Sequence, residues 1–179
     1  VFWFLGELTW AIYSLLLNVE IPYPSIADAV WLIGYVPLFV ALYSYIRIFR
    51  PAVSRTMFAS ATVAVCAASL AFLLFLVPPI FANASENNTV TLTVDMTYPA
   101  LDIVLFSTST LGLLVFAKGK IATAWLFING AILMNVVGDV LFSYTTLEGT
   151  YYNGHWSELF FAWGYILFAL AFHAHKKEL

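Results

Sequence analysis

The run PSIADAVWLIGYVPLFVALYSYIRIFR, residues 24–50, decides the fold. From Ile26 to Ile48 it is almost wholly apolar, and a helix needs roughly 20 such residues to cross about 30 Å of hydrocarbon. Pro24 and Ser25 stand before it, and Arg47 and Arg50 close it. That reads as one membrane span with a polar entry and a basic exit. The rest of the chain repeats the pattern. Of its 179 residues, 63% are hydrophobic and 9% charged, against about a quarter charged in an average soluble protein. Water is not the main solvent of this chain.

Working outward from residues 24–50, five further spans are predicted, separated by short polar breaks. Together the six cover about 1–19, 26–48, 56–77, 98–117, 121–144 and 157–173, with Pro78-Pro79 ending or kinking the third. The expected fold class is therefore all-α, a polytopic membrane bundle of about six transmembrane helices in a single domain. The chain opens on Val1 and an apolar stretch with no basic n-region or small-residue cleavage site, which argues against a signal peptide and leads us to expect residues ahead of it. Cys66 is the only cysteine, so an intramolecular disulfide and a CxxC site are both excluded.

Orientation comes from the seven basic residues. Arg47, Arg50 and Arg55 lie between spans two and three, Lys118 and Lys120 between four and five, and Lys176 and Lys177 after six. Alternating spans put all of them on one face, which the positive-inside rule makes cytoplasmic. The expectation is a multi-pass protein of the cell membrane with a cytoplasmic C-terminus. The opposite loops carry acids and aromatics, among them Glu20, Tyr23, Glu86, Asp95, Glu148, Tyr151, Tyr152 and Trp156. Asn83-Ala84-Ser85 and Asn87-Asn88-Thr89 match the N-glycosylation pattern in the longest of them. Val90 to Val94 reads there as a short extended segment. The formal charge of −3 and the lack of a basic run exclude nucleic acid as a partner. The partners expected are the lipid bilayer and a small ligand or other membrane subunits.

A repeat of hairpins is visible. Asp28, Asp102 and Glu158 each follow a short polar entry, and Gly34-Tyr35 and Gly164-Tyr165 stand six residues after Asp28 and Glu158. In the preceding helices, Gly6-Glu7 is echoed by Gly138-Asp139. The chain reads as three helical hairpins, the middle one diverged.

Five acids fall within or beside the spans, and they divide into two groups. Asp28, Asp102 and Glu158 are placed in the first turn of a helix, at the outer mouth of the bundle, where a carboxylate meets unpaired amides and the positive end of the dipole. Ser25 to Asp28 has capping-box spacing. Glu7 and Asp139 are deeper, about 10 to 18 Å from the outer helix end at 1.5 Å per residue. Asn135 lies one turn before Asp139 and shares its face. No Lys or Arg lies in the hydrocarbon to pair with either acid. They must bond to polar groups, reach water or stay protonated, so Glu7, Asn135 and Asp139 are the candidates for ligand binding or proton handling, on the wall of a polar cavity. The competing reading is interhelical bonding alone.

The remaining residues suggest less. Ser107, Thr108, Ser109 and Thr110 are expected to bond to backbone or to a neighbouring helix. His173 and His175 read as interfacial. His155 with Glu148 and Glu158 lacks the spacing of a metal site. The aromatics, 18% of residues, read either as lipid contacts and interface anchors or as the lining of a sensor pocket for an apolar ligand, which composition does not separate. No catalytic triad, phosphate loop, cofactor motif or metal site is found.

The stretch from Pro22 through Tyr35, with Gly138-Asp139-Val140-Leu141-Phe142-Ser143-Tyr144 and Trp163-Gly164-Tyr165 before a basic tail, resembles the multi-spanning N-terminal membrane region of prokaryotic signalling proteins. Such regions precede histidine-kinase or diguanylate-cyclase modules. The resemblance implies a sensory or interaction module that binds a small ligand or partner helix and relays to the cytoplasmic side, without catalysis of its own. The sequence stops at Lys176-Lys177-Glu178-Leu179, so the chain reads either as a fragment cut from a longer signalling protein or as a stand-alone relative. The rival readings are a small proton-coupled transporter using Glu7 and Asp139, an intramembrane metal-dependent lipid enzyme, and an accessory subunit of a membrane complex.

Overall fold

In the computed structural model, residues 1–17, 19, 22–75, 77, 78 and 89–178 are described. Among the described residues, six α-helices make up the bundle. Helix α1 (Phe2–Ala11) runs on as π-helix over Ile12–Leu17. It is followed by α2 (Ile26–Ile48), α3 (Arg55–Phe75), α4 (Thr89–Phe116), α5 (Ala122–Leu147) and α6 (Glu158–Glu178). Five of them, α2 to α6, are long and apolar enough to cross a membrane. Phe2–Leu17 is shorter. The sequons at Asn83 and Asn87, with Glu20 and Glu86, lie outside the described residues.

Helix α4 departs most from expectation. It starts at Thr89, not near Tyr98, so residues 90–94 are helical rather than extended. Hydropathy misleads here because the polar groups are satisfied within the helix. Thr93 and Thr97 turn their hydroxyls onto the carbonyls of Thr89 and Thr93, at 2.7 and 2.6 Å. Asp95 is buried and accepts a hydrogen bond from Tyr23. The longer helix also corrects the place of Asp102. It stands in mid-helix, 3% exposed, and is neither a cap nor an acid of the outer mouth. Pro37 and Pro99 sit inside α2 and α4 without ending them.

Consecutive helices pack as neighbours: α1 on α2, α3 on α4, α4 on α5 and α5 on α6, with α2 also against α4. Leu42, Ile46, Leu105, Phe116, Trp125 and Ile132 form the apolar core. Tyr45 meets Phe116, Trp125 and His175 at 5.6, 5.9 and 6.1 Å, which gathers the ends of α2, α4 and α6 and the start of α5. The Lys and Arg residues cluster at this same end. Asn129 ties α5 to α4 through Ser109 and Thr110, both at 3.0 Å, while Ser107 and Thr108 bond to their own helix. Much of the apolar surface faces outward, including Phe58, Val63 and Leu70 of α3. Lipid tails are as apolar as those side chains, so outward exposure carries little penalty there.

Candidate binding cavity

Glycine sets the approach of the helices. A Cβ on Gly6 would lie 2.3 Å from Trp31 Nε1, and one on Gly34 would lie 2.5 Å from Trp3 Cδ1. Helices α1 and α2 thus lock reciprocally, each laying a tryptophan over the other's glycine. Between α5 and α6, a Cβ on Gly138 would lie 2.8 Å from Phe161 Cε1, and one on Gly164 would lie 2.3 Å from Asn135 Nδ2. Both pairs pack closely because these residues have no side chain.

The tight seams point the neighbouring acids and tyrosines across the bundle. Tyr165, next to Gly164, donates to Glu7 Oε1 at 2.7 Å. Tyr35, next to Gly34, approaches Asp139 Oδ2 at 3.3 Å and donates to Asp102 Oδ1 at 2.7 Å. Each of these two hairpins therefore satisfies the acid of the other. Trp10 and Phe142, one turn further along α1 and α5, meet edge to face at 6.4 Å. Between the hairpins is a cavity of about 610 Å³, at the end of the bundle away from the basic residues.

Glu7, Asn135 and Asp139 all line this cavity, so the three candidates from the sequence share one chamber. Asn135 is buried and gives its amide to Ala131 O at 2.8 Å, which orients it beneath Gly164. Asp28 and Glu158 also line the cavity. Asp28 Oδ2 accepts from Ser25 N at 2.6 Å, and Ala27 N donates to Ser25 Oγ at 3.2 Å, which closes the start of α2. Its other oxygen accepts from Tyr98 at 3.1 Å. Glu158 is in the first turn of α6 and accepts from Tyr151 at 2.7 Å and Gly154 N at 2.9 Å, so it braces the preceding loop. Asp102 is not on the cavity wall; it stands behind Tyr35 and within hydrogen-bonding reach of Asp139.

The tyrosines were the missed residues. Glu7, Asp28, Asp139 and Glu158 of the cavity, with Asp95 and Asp102, are each bonded to one, whereas the sequence pairs no tyrosine with an acid. The repeated Gly-Tyr at 34–35 and 164–165 was the available signal. In the loops, burial first and then the nearby Asp95 push the Tyr23 phenol up, while burial and the Glu158 bond push up that of Tyr151. Both stay protonated, hence donors. Phenols fix a carboxylate in place without neutralising it, and among the described residues no Lys, Arg or His lines the cavity. No group of three His, Cys, Asp or Glu suited to a metal occurs among the described residues. His155 is buried against Ser157 Oγ at 2.8 Å.

Fold and cavity together define a multi-pass helical bundle with an acidic, aromatic chamber between two of its hairpins. Comparison of the chain with protein-family models, curated proteins and solved structures gives no match.

Proposed function

We propose that this chain is a sensory or interaction module of the cell membrane that takes a small ligand into the cavity and relays its presence to the basic end of the bundle. By the positive-inside rule that end, with the C-terminus, is cytoplasmic. One observation carries the reading: the cavity lies between two hairpins joined across it by tyrosine-to-acid bonds, Tyr165 to Glu7 and Tyr35 to Asp139. A ligand that competes for Glu7 releases Tyr165, and α6 runs unbroken from that tyrosine to Lys176 and Lys177. A ligand shifts an equilibrium only by binding one arrangement better than the other, and a bond that it replaces supplies that difference. The resemblance to membrane regions of signalling proteins supports the same reading. We also read α1–α2 and α5–α6 as copies of one hairpin, on their matched glycine seams and exchanged bonds.

A proton-coupled carrier is the second reading, favoured by Tyr35 standing between Asp102 and Asp139. The experiment uses the full chain in lipid nanodiscs with Cys66→Ser, and spin labels placed by Ile48→Cys and Lys177→Cys. Tyr165→Phe, which frees Glu7, is expected to move the ends of α2 and α6 relative to each other by about 1–2 Å, the scale of helix shifts in switching proteins. An unchanged distance in both Tyr165→Phe and Tyr35→Phe overturns the relay. Proton-driven flux in vesicles that Asp139→Asn abolishes would put the carrier in its place.

A further inference from the structure

We infer that the ligand of this cavity is an organic ammonium ion, a protonated amine or a quaternary ammonium. The inference rests on the reading of the chamber as a binding site and names the chemistry that fits it. Four carboxyl side chains line the chamber, those of Glu7, Asp28, Asp139 and Glu158, and no basic side chain does so among the described residues. Their hydrogen-bond donors are chiefly neutral, tyrosine hydroxyls and backbone amides. Withdrawing carboxylates from water without an opposite charge is costly, and the seven Lys and Arg residues are all elsewhere in the chain. A positively charged occupant would supply what these acids otherwise find only in phenols, water or a retained proton.

The walls decide what kind of cation. Trp3, Trp10, Trp31, Tyr98, Phe142 and Phe161 surround the space. Aromatic faces attract a cation through the ring quadrupole, more strongly as water is excluded, and cages of them recognise quaternary ammonium. A small metal ion would need several oxygens converging at once; such an ion uses none of this aromatic surface. At about 610 Å³ the chamber is within the ordinary range of small-molecule sites. Hydrogen bonds from the described residues reach Glu7 and Glu158 through one oxygen each, Oε1. The second oxygen of Glu158 is left for an N–H or an N-methyl group, while Glu7 also has the Trp31 indole N–H beside it. An anion is repelled here, and a neutral guest leaves the acids uncompensated.

Trp3, Trp10 and Trp31 make the chamber its own reporter. The full chain in nanodiscs is titrated with choline and with butylammonium, and in parallel with their neutral counterparts, in which a tert-butyl group replaces trimethylammonium and pentanol replaces the amine. Saturable tryptophan quenching by an ammonium probe, at least tenfold tighter than its neutral counterpart, is expected. Glu7→Gln should weaken it about tenfold, a change of about 1.4 kcal/mol. The unsubstituted protein already decides the matter, so a variant that fails to fold leaves the test intact. Equal binding of charged and neutral probes overturns the ammonium assignment and leaves the cavity a binding site. Absence of binding by both ammonium probes also overturns it, while the spin-label distances judge the relay separately.

Discussion

Helices α3 and α6 are each 21 residues long, yet they behave differently. In α3 only Ala61 is buried, and the helix packs chiefly on α4. Helix α6 makes the most extensive contact in the molecule, with α5, and reaches across to α1 through Tyr165 and Glu7. The α3 run contains no Asp, Glu or Tyr, whereas α6 contains Glu158 and Tyr165. In hydrocarbon an apolar surface gains little by leaving lipid for protein, so polar pairs and close glycine contacts decide which helices converge. The helices that carry those groups surround the cavity, and the one that lacks them stays at the margin.

Removing the most shared hydroxyl is the most severe way to break this contrast. Tyr35→Phe takes the donor from Asp102 and Asp139 together and should cost about 3 kcal/mol of stability, the upper range for stranding buried acceptors, read as the unfolding midpoint in mixed micelles. A loss near zero would mean that polar pairs do not organise the bundle. A smaller effect sharpens the argument: a double-mutant cycle of Glu7→Leu and Tyr165→Phe should give a coupling of about 1 kcal/mol, as interhelical bonds in membranes do. Additive single effects would show that the two side chains act independently. Smallest of all, Val63→Ala and Leu70→Ala on the outer face of α3 should each change stability by no more than about 0.5 kcal/mol. A large loss at either position would show that α3 packs against something other than lipid.

The helices were legible because long apolar runs bounded by charges have few other readings. Helix α4 was only half legible. Asp95 and its threonines lower the hydropathy of a segment that the fold nevertheless buries or bonds internally. The acids of the cavity were legible for the opposite reason, since Glu7 and Asp139 stand out in an apolar context. Their partners did not stand out. Tyrosine occurs ten times in the chain, and only the preceding glycine distinguishes Tyr35 and Tyr165 from the tyrosines at the helix ends. Asp102 was misplaced along with the start of its helix, while Ser25 and Asp28 close α2 as their spacing implied.

The bond between Tyr165 and Glu7 spans 158 residues, which bears on how the bundle is born. Helices enter the bilayer in the order of synthesis, so α1 brings its carboxyl into the hydrocarbon long before the hydroxyl that will hold it exists. Until α6 arrives, that carboxyl has to be tended by water, by lipid headgroups or by the insertion machinery. A chain synthesised only as far as α5 thus carries the mark of its incompleteness inside the membrane, and α6 is the helix that erases it.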